Sequence, residues 1–310
     1  MPTLGGRCNE GAGLRLNPSL PWRPADGSQL PRICVHTLEM KSLFASLTIA
    51  LLLAFAGQPA PAAGKPFAWP DGAQAAVSLS YDDAIKSQLD NAIPALNKYG
   101  FKGTFNLVLS SDTVSNRLVE WRQAATQGHE LANHTLFHQC SRAAPGHEWV
   151  TVDNDLDKVS VGQLAAQIRL GNTMLHAIDA KTQRTFAVPC GDLRAAGDNY
   201  IAAIKSDFVA IKSTPGGVTP DMWTLDPYAV STAAPTNVTG EQLIAIAREA
   251  AAKGTMANFT FHGVGGDYLA VSSEAHEELL KFLADNRGTY WTDTFINIMM
   301  YVKNEQNHAP

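Results

Sequence analysis

The feature that most constrains the fold is a regular exchange of short β-rich segments with longer amphipathic ones. "AAVSLSY" (75–81), "GTFNLVL" (103–109), "HELANH" (129–134), "RTFAVP" (184–189), "FVAIKS" (208–213), "ANFTFH" (257–262) and "GTYWTD" (288–293) read as strands. Between them, 85–100, 160–179, 239–254 and 272–288 read as helices, the first and the last two closing on a Gly just past the final turn. Thr239 or Gly240 is placed to cap the third, and Ser272, with Ala275, precedes the Glu277–Glu278 start of the fourth. Strand–helix alternation predicts a mostly parallel α/β architecture. Seven candidate strands favour a distorted, incomplete (β/α) barrel in a single domain over an open sheet. In either case the chemistry gathers at the carboxyl ends of the strands.

The chain has 310 residues, 45% of them hydrophobic and 17% charged, a globular balance. Its first stretch is set apart. From Met40 the sequence "MKSLFASLTIALLLAFAGQPAPAAG" has a Lys, an apolar run from Leu43 to Phe55 and then small residues, the order of a secretory signal. Ala54–Ala56 and Ala60–Ala62 both fit small-x-small cleavage, and the run is short for a membrane span of about 20 residues. Residues 1–39 show neither helical nor strand periodicity. The expectation is an upstream leader over 1–39, a signal peptide over 40–62 and one catalytic-sized domain over 63–310, secreted or periplasmic. Of 24 Lys/Arg and 29 Asp/Glu, five and three fall in 1–62. The remainder is mildly acidic, without the basic clusters that nucleic-acid binding needs. Cys140 and Cys190 are left after the leader. An even number in an exported chain fits one disulfide, with two buried thiols as the alternative.

Four predicted strands end in groups that can do chemistry. The first stops on Asp82-Asp83, the third runs into "NHTLFH" with His134 and His138, the fourth ends in "VPCGD", and the penultimate ends in "FTFHGVGGD" with His262. Adjacent Asp residues are common in ordinary turns. His-x-x-x-His places two imidazoles on one side of a helical turn, where they can converge on a metal, zinc being the usual occupant. The combination is less easily given by chance than either part. "HGVGGD" lacks the spacing and the following helix of a nucleotide fingerprint and reads as a loop. His129, His147, His176 and His276 have no partner pattern and read as surface or packing residues.

These motifs resemble the polysaccharide deacetylase family with the NodB-homology domain (carbohydrate esterase family four). Its Thr-Phe-Asp-Asp-Gly is matched by Ser80-Tyr81-Asp82-Asp83-Ala84, its His-Ser/Thr-x-x-His by His134-Thr135-Leu136-Phe137-His138, and its Leu-x-His is echoed by Thr260-Phe261-His262. The resemblance implies that Asp83, His134 and His138 hold a divalent metal, Zn2+ first. It makes Asp82 the general base for metal-activated water, His262 the general acid, and the backbone N–H of Cys190 an oxyanion donor. A divalent ion and a free carboxylate beside it suit those roles. If the loops meet as in the family, a Cys140–Cys190 bridge would clamp them, the rival reading being thiolate ligands.

The third motif departs from the family. Arg-x-Pro-x-Gly is here Ala187-Val188-Pro189-Cys190-Gly191, so the arginine that would pair with Asp82 is absent, with Arg184 and Arg194 nearby in sequence. "PDMWTLDPY" (220–228) is the best match for the motif beside the acid, making Trp223 and Asp226 groove candidates along with Tyr268; Trp149 also offers a face for a sugar. The expected substrate is an N-acetylated poly- or oligosaccharide. Acetylxylan-type ester hydrolysis and a sugar-binding pseudoenzyme are the alternatives, the second supported by the missing arginine.

Overall fold

The computed structural model describes residues 66–308; the leader and signal segments lie outside the described residues. Ten strands follow in chain order: β1 (Ala75–Asp82), β2 (Thr104–Leu107), β3 (Glu130–Asn133), β4 (Phe186–Ala187), β5 (Arg194–Ala195), β6 (Asp198–Asn199), β7 (Ile211–Pro215), β8 (Val230–Thr232), β9 (Met256–Phe261) and β10 (Tyr290–Asp293). β5 and β6 form a separate antiparallel pair. The other eight make one parallel sheet ordered β10-β1-β2-β3-β4-β7-β8, with β9 on the other edge of β1.

The sheet curls into a nearly closed barrel with one seam. β8 and β9 meet through a bridge, Ala233 to Phe259, with Ala233 N donating to Asn258 O and Thr260 N to Ala233 O. β10 pairs with the first half of β1 (Ala75–Ser78), below the place where β2 takes over at Ser80. The expected distorted barrel is therefore what forms, with β8 an additional strand. At three residues flanked by long loops, β8 is too short to show a period in sequence.

Eight helices connect the strands: α1 (Ile93–Lys98), which follows a π-helical turn at Gln88–Ala92, α2 (Asp112–Asn116), α3 (Leu118–Thr126), α4 (Val161–Asp179), α5 (Ile201–Ile204), α6 (Gly240–Lys253), α7 (Ser273–Asp285) and α8 (Phe295–Asn307). The starts of α4 and α6 are fixed by capping boxes, Ser160 with Gln163 and Thr239 with Gln242, and Ser272 caps α7. Gly254 ends α6 with φ 69°, a left-handed C-terminal stop that glycine takes without cost.

Alternation along the strands sorts the two faces of the barrel. Leu79, Tyr81, Phe105, Leu131, Phe259 and Phe261 point outwards into the core shared with α1, α3, α6 and α7. The inward set is polar: Ser78, Ser80, Asp82, Thr104, Asn106, Glu130, Thr185, Lys212, Asn258 and Thr260, all buried. Glu130 ties this interior together. Its Oε2 accepts from Thr104 Oγ1 (2.8 Å) and from Ile296 N at the start of α8 (2.9 Å), and its Oε1 from Thr185 Oγ1. α8 closes the amino-terminal mouth, packing Phe295, Ile298, Met299 and Val302 against Trp69, Ala76, Met222 and Met256.

Two buried histidines outside the barrel stay neutral. His129 accepts from Gly103 N on Nδ1 (3.0 Å), and His276 Nε2 meets Tyr81 Oη at 2.7 Å. Burial pushes both down to about 4. Between about 4 and the ordinary histidine value of about 6.5 the unfolded chain binds more protons than the folded one, so stability falls as pH drops through that window. The urea midpoint should be clearly lower at pH 5 than at pH 7.5; an unchanged midpoint contradicts this account.

Candidate metal-hydrolytic site

β1 ends in two consecutive left-handed residues, Asp83 (φ 83°) and Ala84 (φ 56°). That reversal turns Asp83 across the mouth of the barrel while Asp82 still points inwards along the strand. It also accounts for the glycine that the related motif has at the position of Ala84, since glycine takes this conformation freely. Asp82 is held by Asn106 on β2, whose Nδ2 donates to Asp82 Oδ1, and Gln88 Nε2 donates to its carbonyl.

His134 and His138 reach the same mouth by a different route from the one expected. The stretch after β3 is a tight loop and not a helical turn, with Thr135 (φ 69°) and His138 (φ 49°) left-handed. Side chains set this geometry: Thr135 N donates to Asn133 Oδ1 (2.8 Å), and His138 N to Thr135 Oγ1 (3.0 Å). Local bonds of this type compete with helix formation. The four-residue spacing brings the imidazoles together all the same, with ring centres 5.0 Å apart.

The donor atoms converge. His134 Nε2 lies 3.3 Å and His138 Nε2 3.2 Å from Asp83 Oδ1. Tetrahedral ligands at about 2.0–2.1 Å from zinc stand roughly 3.3 Å from one another, so these separations suit one ion at their centre. Two further observations fit a cation. Asp83 Oδ1 is buried and accepts no hydrogen bond among the described residues. His134 Nδ1 sits 2.8 Å from the Ala187 carbonyl, which can only accept, so the proton is on Nδ1 and the Nε2 lone pair faces Asp83.

Electrostatics agree. Burial by itself would raise the Asp83 carboxyl, but His134, His138 and His262 around it outweigh burial and hold it well below the usual carboxylate range. Burial, with His134 beside it, pushes His138 down to about 4, which keeps a lone pair available at neutral pH. His134 goes the other way: burial lowers it, but Asp82 and Asp83 more than offset that and raise the group, so the two carboxylates draw a positive charge, proton or metal ion, to its Nε2.

The remaining expected groups divide. His262, at the end of β9, places Nε2 3.8 Å from Asp83 Oδ2. Cys190 is at the cleft, left-handed at φ 56°, and forms a disulfide with Cys140. That bond rules out thiolate ligands. Tyr268 comes in by an unexpected contact, its Oη donating to Asp83 Oδ2 at 2.9 Å. Trp223 and Asp226 do not reach the site. They lie at the opposite mouth, where Trp223 packs on Phe67 (4.9 Å) and Gln306 of α8 donates to the carbonyls of Met222 and Leu225. The Asp226 carboxylate accepts from Tyr228 N in its own turn. The loop after β7 runs down the barrel before β8 climbs it, which no local pattern reveals. Neither arginine near the third motif approaches Asp82: Arg184 pairs with Asp179 and donates to the carbonyls of Leu131 and Lys181, and Arg194 donates to Gly197 O.

Asp82, Asp83, His134, His138, Cys190, His262 and Tyr268 open into a cleft of about 1020 Å³. Its rim is apolar and exposed: Phe137 (46%), Trp149 (59%), Tyr268 (53%) and Leu269 (51%). His147, read from sequence as a packing residue, lines the cleft as well, tilted on Trp149 at 5.8 Å. Its signal was only proximity to Trp149.

Comparison with known proteins agrees with the motifs. Residues 70–207 match the family model described as polysaccharide deacetylase, a span that includes Asp82, Asp83, His134, His138 and Cys190 and ends before His262. A stretch of 139 residues is 28% identical to a gellan lyase from Bacillus sp, covering 44% of this chain and only 5% of that relative's length. Among solved structures, a candidate polysaccharide deacetylase from Mycobacterium smegmatis shares the fold at TM-score 0.54 and 14% identity, over 78% of this chain and 94% of that one. A family 4 acetyl xylan esterase from Clostridium thermocellum, in complex with a cobalt ion, aligns at TM-score 0.45 and 20% identity, over 74% and 91%.

Two outcomes are expected. Tyr268→Phe removes the one hydroxyl donating to Asp83 Oδ2 and should weaken divalent-metal binding by about tenfold in calorimetry, with the fold unchanged. Replacing both Cys140 and Cys190 by Ser opens a bridge of sequence separation 50. In the chain-entropy account this costs about 4 kcal/mol, read as a drop in the denaturant midpoint.

Proposed function

We propose that this chain, whose residues 70–207 match the polysaccharide deacetylase family model, is an exported, divalent-metal-dependent hydrolase that removes acetyl groups from N-acetylated poly- or oligosaccharides. One observation carries the reading: the unpartnered Asp83 Oδ1 meets the Nε2 atoms of His134 and His138 beside a second, separately held carboxylate. A divalent ion in that set, zinc by the N/O donor chemistry, supplies Lewis acidity towards an acetyl carbonyl and lowers the pKa of water towards about 7.

The protein's own groups divide the remaining work. Asp82 is anchored through Oδ1 by Asn106, while its Oδ2 lies 3.7 Å from His134 Nε2, on the metal-ligand side. It is the group placed to take a proton from the attacking water. His262, on the other side of Asp83 and partly open to the cleft, gives a proton to the departing nitrogen. The Cys190 loop offers its backbone N–H to the developing oxyanion. Phe137, Trp149 and Leu269 provide flat apolar faces at the rim, suited to sugar rings, and a cleft of this size admits a chain rather than only a monosaccharide. The disulfide supports an exported setting, since such bonds persist under oxidising conditions.

Acetate release from N-acetylated chitooligosaccharides and from acetylated xylan, with and without chelator, tests this. Release from the chitooligosaccharides should vanish on chelation and return with zinc. Asp82→Asn should lower kcat by about a hundredfold or more while metal stays bound. Release from acetylated xylan alone would replace the amide reading by the ester one. No release from any substrate by zinc-reloaded protein would overturn the enzyme reading.

A further inference from the structure

The barrel interior holds a cation that the steps above leave unused. Lys212 on β7 is 3% exposed, and its Nζ is buried with no hydrogen-bond acceptor among the described residues. It lies 4.9 Å from the centre of the Phe295 ring. A buried ammonium is costly unless something nearby is negative. Burial pushes Lys212 down to about 8, and Asp82 and Glu130 are the two groups that pull it back up, so it carries charge at neutral pH. Glu130 already has its three donors from Thr104, Thr185 and Ile296. Asp82 has one donated side-chain hydrogen bond, from Asn106.

Register adds the decisive placement. Ala187 and Lys212 are direct partners in the β4–β7 ladder, so their side chains leave the sheet on the same face, towards the barrel interior. Ala187 is where the resemblance leads one to expect an arginine facing Asp82. Its methyl leaves room, and the next strand puts a cation beside that room, while Arg184 and Arg194 are engaged elsewhere.

We propose that Lys212 is the positioning residue for Asp82, reaching in from β7 beside the space that Ala187 leaves and supplying the positive charge against which the Asp82 carboxylate is held. The charge has moved one strand along the sheet while the task has stayed. The catalytic meaning of this rests on the deacetylase reading, but the pairing itself does not.

The test is a double-mutant cycle of Lys212→Met and Asp82→Asn, read by urea unfolding of the purified protein and by acetate release. Lys212→Met should shift the unfolding midpoint by a different amount when Asp82 is already Asn. It should also lower kcat by about tenfold or more with KM within about twofold, and Ala187→Arg added to Lys212→Met should recover a substantial part of the loss. Lys212→Gln serves if the Met variant does not fold. Additive midpoint shifts, or coupling to Glu130→Gln in place of Asp82→Asn, would overturn the proposal. A wild type that releases no acetate would sink the deacetylase reading alone, since the unfolding cycle decides the pairing by itself.

Discussion

Charge buried inside a sheet is the constraint from which this structure is best understood. A parallel barrel ordinarily fills its interior with branched apolar side chains; here Asp82, Glu130 and Lys212 occupy it among serines, threonines and asparagines. Each must be answered locally, because the low-dielectric interior makes an unanswered charge or dipole expensive. Glu130 is answered by two hydroxyls and the first turn of α8, which fixes how that helix closes the lower mouth. Asp83, at the upper mouth, has an oxygen that no donor among the described residues answers. Glu130, lower in the barrel, is thus answered by the protein itself, and the upper end is arranged to receive something positive.

β1 organises both ends. β10 pairs with its lower half, β2 with its upper half and β9 along the other edge, so the direction in which Asp82 and Asp83 leave it is set by β2 and β9. The left-handed pair at its end then separates two adjacent carboxylates that sequence alone would leave in mutual repulsion. One stays inside the barrel on Asn106, the other crosses to the histidines. A site built this way needs little reorganisation, because the strand fixes the carboxylates and short side-chain bonds fix the loop that brings the imidazoles.

Much of this was legible in the residues. Asp82-Asp83, His134, His138, Cys190 and His262, at or just past the ends of different strands, gather at one mouth. What escaped was whatever depends on register or on the path of a loop. β8 is too short to carry a period. α2, at five residues, is too short to show a period, whereas α8 does carry an apolar stripe, Phe295, Ile298, Met299 and Val302, that strand–helix alternation alone does not single out. The His-x-x-x-His stretch has helical spacing, but Asn133 and Thr135 bond their own backbone and hold it as a loop. "PDMWTLDPY" has the right residue types and sits at the wrong mouth, because Trp223 and its neighbours join the apolar cluster under the barrel. Lys212 looked like the end of a strand; only pairing with Ala187 shows which residue it complements.

The Cys140–Cys190 bond links the loop that presents His138 to the loop that carries Cys190 into the cleft. Beside it Ser141 N donates to Asp192 Oδ2 at 2.7 Å, so a covalent bond and a hydrogen bond together hold the two loops in alignment. Opening the bridge would leave these loops to the Ser141–Asp192 hydrogen bond, while the barrel beneath keeps its ladders and its packed core. The two parts of the molecule therefore answer to different chemistry: the barrel to the burial of apolar surface, the rim of the cleft to the oxidation state of two sulfurs.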